Sequence, residues 1–304
     1  MTPGPWAFHL HLVTWVVLAV VTAVYAVLVR PAAPTVRQRW AFAGAVACAA
    51  AVLTWPVADL AAHWSLTALV VQRLVLTLVV APLGLLGVPV EVLGRLTRPR
   101  LVDGAVEFLS RPPVAVATFF VVVVGTLAVP AVRVQADSAG LRGLFDGLLL
   151  VAGVVLWLPA LGRVPGTRAL SAAARAGYLV VQSVLPNFPA VIFVFARHPL
   201  YPVFTHAHVA IGLSPLNDQQ LAGVVAKIGT LPVLWTCAWL ALSRGQRADE
   251  LGLDDPPLTW ADVERALERA ERSGGAPGGA SDGKSPRPDE PPGSGQWSGR
   301  RTGS

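Results

Sequence analysis

Residues 197–232 read RHPLYPVFTHAHVAIGLSPLNDQQLAGVVAKIGTLP, and no other stretch of the chain sets so many polar and metal-capable groups against a long apolar run. It holds His198, Tyr201, His206 and His208, then a turn-like SPLND, then Asp218, Gln219 and Gln220 at the head of an apolar segment that carries Lys227. An ionisable residue inside a membrane span is costly and marks a functional site by default. The character of the whole chain therefore turns on whether this segment lies in a bilayer.

Composition answers that it does. Of 304 residues 54% are hydrophobic and only 14% charged, against about 25% charged for an ordinary soluble domain, and the mean hydropathy is +0.57. On either side of this segment and including it, seven runs come near the roughly 20 apolar residues that cross a hydrocarbon core. They lie at 8–29, 41–60, 66–90, 113–132, 144–162, 176–196 and 219–243. The expected fold is all-α, a polytopic membrane bundle of about seven transmembrane helices. The first run lacks a basic n-region and a small-residue cleavage site, so it is expected to stay as a span.

The 24 Lys and Arg exceed the 18 Asp and Glu, yet most of the arginines sit between apolar runs instead of clustering on a soluble surface, which argues against a nucleic-acid partner. Their distribution is informative in another way. Arg30, Arg37, Arg39, Arg95, Arg98, Arg100, Arg111, Arg163, Arg168, Arg175, Arg244 and Arg247 all fall on one side of the expected membrane, and only Arg133, Arg142 and Arg197 on the other. The positive-inside rule then sets the N-terminus outside and the C-terminus in the cytoplasm. Cys48 and Cys237 lie far apart, each in an apolar run and without a CxxC spacing, and read as small buried hydrophobes.

In that topology all six histidines fall on the outer side. His9, His11, His206 and His208 are the candidate metal ligands, because imidazole suits copper and His206-x-His208 is a short chelating spacing. The same residues also suit interface anchoring beside Trp6, Trp64 and Tyr201. Within the spans, Arg73 lies about two turns below the outer end of the third run, next to Gln72. It either snorkels to the headgroups or pairs with Asp59, Asp146 or Asp218, with Asp218 the first choice. Lys227, if buried, needs a carboxylate or carbonyl partner; Asp218 stands nine positions away and is not its helical neighbour. Asp59, Arg73, Asp218, Gln219 and Lys227 are thus the candidate functional polar residues. Pro186, Asn187 and Pro189 predict a kink in the sixth span, and Pro82, Gly84, Gly87 and Pro89 predict close packing at the inner end of the third.

After Arg247 the character of the chain changes. Residues 1–247 form the expected membrane domain and 248–304 a cytoplasmic tail. The tail is expected to hold a short amphipathic helix at 259–273 with Thr259 as its N-cap, then a disordered stretch of Gly, Pro, Ser and charge. No GxxxxGK[ST], GxGxxG, HExxH or GxSxG pattern occurs, so no catalytic constellation is expected and the chain reads as something other than an enzyme.

VAPLGLLGVPVEVLGRL at 80–96, GLLLVAGVVLWLPALG at 147–162, PLYPVF at 199–204 and SPLNDQQLAGVVAKIGTLP at 214–232 resemble the CtaG-like cytochrome c oxidase assembly factors, over about residues 1–243. Asp218 to Gly223 is the most specific piece. The resemblance implies a bacterial plasma-membrane protein that helps to mature a haem-copper respiratory oxidase, with copper insertion near the outer face as its step. Its partners would be oxidase subunits and the lipid bilayer. Where the family usually carries paired histidines near the start of the third span, this chain has Leu69 and Arg73. The connection between the fourth and fifth spans offers Arg133, Asp137, Arg142 and Asp146 in place of histidine. Two other readings stay open: a small-solute or ion permease using Arg73, Lys227 and Asp218, and a membrane scaffold that binds no metal.

Overall fold

In a bilayer a spanning segment must satisfy its backbone polar groups internally. Apolar runs of this length therefore become helices. The computed structural model describes residues 4, 6–167, 170–185, 188–250 and 260–274, and all regular structure among them is helical. The chain divides into two units, Met1–Arg265 and Ala266–Ser304, and every candidate membrane helix belongs to the first.

Five helical segments are long and apolar enough to cross a membrane. They are α1 (Leu12–Val29, extended by a short turn to Ala32); α4 (Leu66–Val75) running through a π-helical turn, Leu76–Val80, into α5 (Ala81–Gly87); α10 (Ala139–Leu161); α11 (Ala172–Val184) with α12 (Phe188–Phe195); and α14 (Pro215–Glu250). Two bent pairs raise the number to seven if each counts as one span. One joins α2 (Val36–Leu53) to α3 (Val57–His63) at 44°, and the other α7 (Arg100–Leu109) to α8 (Pro112–Leu127) at 88°. Shorter helices α6 (Val90–Leu96), α9 (Val129–Asp137) and α13 (Ala207–Ile211) lie in the connections. In the tail, α15 spans Trp260–Gly274, within a residue of its expected limits. The expected disordered stretch from residue 275 lies outside the described residues, as do Pro186 and Asn187, on which the expected kink rests.

The ends of these helices differ from the hydropathy limits for local reasons. The second begins at Val36 because Thr35 and Gln38 form a capping box, each side chain accepting from the other's backbone N–H. The fourth begins abruptly at Pro112, which disfavours helical backbone at the residue before it; Arg111 is extended at φ −66°, ψ 124°. That fourth span also stops at Leu127, not at 132, because Ala128 is extended at ψ 141° ahead of α9, which has a proline in its first turn.

The third span sits at the centre. Its π-turn was not foreseeable from periodicity. The fifth span presses against it through Gly153, where a Cβ would stand 2.9 Å from Thr77 Cα and 3.0 Å from Ala81 Cβ, and Trp157 Nε1 donates to Thr77 O at 2.9 Å. At the inner end, a Cβ on Gly87 would meet the Phe42 backbone N at 2.7 Å, which is the close packing the small residues of 82–89 predict. Leu78, Ala81, Leu156, Trp157, Leu179 and Leu234 belong to the main core cluster. Gly153→Val is expected to cost about 1–3 kcal/mol by overpacking and to lower the melting temperature in detergent. Gly147→Val, whose Cβ has nothing within 4 Å, should leave it unchanged.

Candidate functional site

Asp218 stands in the first turn of α14 and is fully buried. Its carboxylate accepts from Ser65 Oγ at 2.8 Å, from Leu66 N at 2.7 Å and from Thr67 N at 3.3 Å, while Thr67 Oγ1 donates to the Asp218 carbonyl at 2.9 Å. The first N–H groups of a helix have no partner inside it and carry the positive end of its dipole. A carboxylate from the seventh span thus supplies what the start of the third lacks. Ser65 completes the cap, its Oγ accepting from Ala68 N at 3.1 Å. Next to it, buried Gln219 accepts from Leu200 N at 2.7 Å, tying the loop before α13 to the same corner.

Arg73 therefore does not pair with Asp218, and the first-choice partner is corrected. The guanidinium is buried at the break between α8 and α9. Its Nη1 donates to Thr126 Oγ1 at 3.0 Å, and its Nη2 to Thr126 O at 3.0 Å and Gln135 Oε1 at 3.1 Å. Gln135 Nε2 also donates to Thr126 O, at 3.0 Å. Tyr201 OH donates to the adjoining Leu127 O at 2.6 Å. Burial pushes the Tyr201 phenol up to about 12, against the pull of the Arg73 guanidinium, so at neutral pH it serves as a neutral donor. Arg73 and Tyr201 together satisfy the carbonyls that the end of α8 leaves without helical partners. Asp146, another of the expected partners, accepts from Gln72 Nε2 at 3.4 Å, and its charge also acts on the Arg73 guanidinium. Thr126 and Gln135 were missed in the sequence; the signal for them was Pro130, which closes one helix and frees carbonyls for a cation to reach.

Asp59, the other candidate partner of Arg73, is likewise committed elsewhere. His9 Nδ1 lies 3.1 Å from its Oδ2 and His11 Nε2 3.3 Å from its Oδ1. One carboxylate in α3 thus hydrogen-bonds His9 and lies beside His11, whose Nε2 makes no hydrogen bond. These contacts, the Ser65–Asp218 corner and the Tyr201–Leu127 bond gather at the end of the bundle where α4 and α14 begin. Arg163 bonds Leu86 O at 2.9 Å where α5 and α10 finish, at the opposite end. His198 and His206 are exposed, and His206 is engaged with a partner; the side chain of His208 lies outside the described residues. Lys227, expected to need a buried partner, is exposed on the surface of α14. Among the described residues no group of three or more His, Cys, Asp or Glu is arranged to hold a metal ion. Cys48 and Cys237 are free and half-buried.

No curated protein and no solved structure matches the chain. The family model described as "Cytochrome c oxidase caa3 assembly factor (Caa3_CtaG)" matches residues 18–247, well over half of the sequence. The match takes in Asp59, Arg73, His206, His208, Asp218, Gln219 and Lys227 and leaves out His9 and His11. With the capped third and seventh spans inside the matched region, the chain belongs to the cytochrome c oxidase caa3 assembly factor family.

Proposed function

We propose that this chain works in a bacterial plasma membrane, N-terminus outside and tail in the cytoplasm, as a non-catalytic assembly factor that engages subunits of a haem-copper oxidase and handles copper as cargo at its outer end. The observation that carries the copper part is the Asp59 carboxylate, hydrogen-bonded to His9, with the unbonded Nε2 of His11 3.3 Å from its other oxygen. A carboxylate that takes one ring nitrogen orients the imidazole and leaves the other nitrogen for a metal, and copper accepts imidazole readily. His206 and His208 stand in the loop expected on the same side and would extend the ligand set. Cargo that is handed on asks for fewer ligands than a resident ion. The permease reading gains no support: Arg73 is taken up by Thr126 and Gln135, and Lys227 lies on the outer surface of its helix.

The test is a deletion strain complemented with wild type, His9→Ala/His11→Ala, or His206→Ala/His208→Ala. Deletion should lower haem-copper oxidase activity, wild type should restore it, and the His9/His11 variant should restore it least while its purified protein loses copper. Full respiration with unaltered copper content in both double variants would leave a scaffold that binds no metal. Normal oxidase activity in the deletion strain would remove the assembly role. A phosphatase fused after Gly245 that is active outside the cell would reverse the orientation.

A further inference from the structure

Helix α7 meets α8 at 88°. Since α8 crosses the membrane, α7 runs nearly parallel to the membrane plane, at the end of the bundle where α5 and α10 finish. Its two faces differ. On one, Val106 and Leu109 pack against the main core cluster, and Asp103 is buried with a partner of its own. On the other, Leu101 and Phe108 stand about two helical turns apart and are 89% and 53% exposed, with Gly104 and Ala105 exposed between them. An in-plane helix that turns its large apolar residues away from the protein finds their burial at the boundary between headgroups and acyl chains.

Three exposed arginines bracket that face, Arg98 and Arg100 before it and Arg111 after it. No carboxylate among the described residues forms an ion pair with any of them. Nor do the first two serve the helix: they stand at its start, where the positive end of the helix dipole opposes cations. The Arg111 guanidinium carbon lies 5.7 Å from the centre of the Phe108 ring, so charge and apolar surface meet at one level. Cations beside an apolar face sunk in a leaflet fall at the depth of the lipid phosphates, and each of them adds to the attraction for anionic headgroups.

We propose that α7 is a binding site for anionic phospholipid, with Leu101 and Phe108 entering the leaflet and Arg98, Arg100 and Arg111 holding the headgroup phosphates. A zwitterionic headgroup offers the same phosphate but offsets its charge with an ammonium group. The site therefore prefers phosphatidylglycerol to phosphatidylcholine. The inference is independent of the copper reading, since it uses neither the histidines nor Asp59.

Native mass spectrometry of the full chain, released from nanodiscs of phosphatidylcholine and phosphatidylglycerol in equal parts, decides it. Wild type should retain phosphatidylglycerol in preference, and Arg98→Gln/Arg100→Gln/Arg111→Gln should retain it about tenfold less. Arg98→Gln/Arg100→Gln should show a partial loss should the triple variant fail to fold. Arg244→Gln/Arg247→Gln, which removes two exposed arginines near the end of α14, should keep the wild-type ratio. No preference in wild type, or an unchanged preference in the folded triple variant, would overturn the site; if that variant also fails to restore oxidase activity in the deletion strain, α7 is a protein contact instead. Equal loss in the α7 and α14 variants would overturn it in favour of a general attraction to the arginine-rich end.

Discussion

Asp218→Ala should be the most damaging single substitution in the membrane region, costing about 3–5 kcal/mol and lowering the melting temperature of the solubilised protein sharply. Three donors from the start of α4 end on this one buried carboxylate, and each buried donor left without an acceptor costs about 1–3 kcal/mol. Asp218→Asn should fall between, since its amide oxygen still accepts while its NH₂ faces donors. Ser65→Ala removes one donor together with the cap on Ala68, and should cost about 1 kcal/mol. If Asp218→Ala melts like wild type, the seventh span does not cap the third.

The second large effect is expected at Arg73. Arg73→Met should cost about 3 kcal/mol or more by leaving Thr126 O and Gln135 short of their charged donor, and Arg73→Lys should recover less than half of that. Lysine is a point charge and cannot span the two acceptors that the guanidinium fork reaches at once. A snorkelling arginine would be replaced by lysine at no loss, so equal melting of wild type and Arg73→Lys would defeat the assignment. Exchanging the charges, Arg73→Asp with Asp218→Arg, should rescue neither single variant, because the two side chains serve different helix ends.

The helical spans and the family were legible because hydropathy and the Asp218–Gly223 stretch are local signals. The partners of the buried charges were not. Sequence reasoning treated Arg73 and Asp218 as a cation and an anion in search of one another, when each serves a helix end: Asp218 takes the free N–H groups of α4 with the Ser65 hydroxyl, and Arg73 the Thr126 carbonyl of α8 with the Thr126 and Gln135 side-chain oxygens. Helix ends are charges of a kind that composition does not count. The signs were present in Ser65, which could cap a helix, and in Pro130, which could end one. The placement of His9 and His11 beside Asp59 depends on how the segment before α1 sits against α3, which no local pattern records.

The π-turn at Leu76–Val80 also has a bearing on how the bundle is divided. An α-helix advances about 100° per residue, and a π-turn holds one residue more than the α-helical turn it replaces. Everything below the turn is consequently rotated by about that angle relative to the half above it. The upper half of the third span packs on α14 and α3 and the lower half on α2. A single continuous helix thus presents two differently phased faces, letting one span belong to two neighbourhoods, with the Trp157 indole holding the changeover in place.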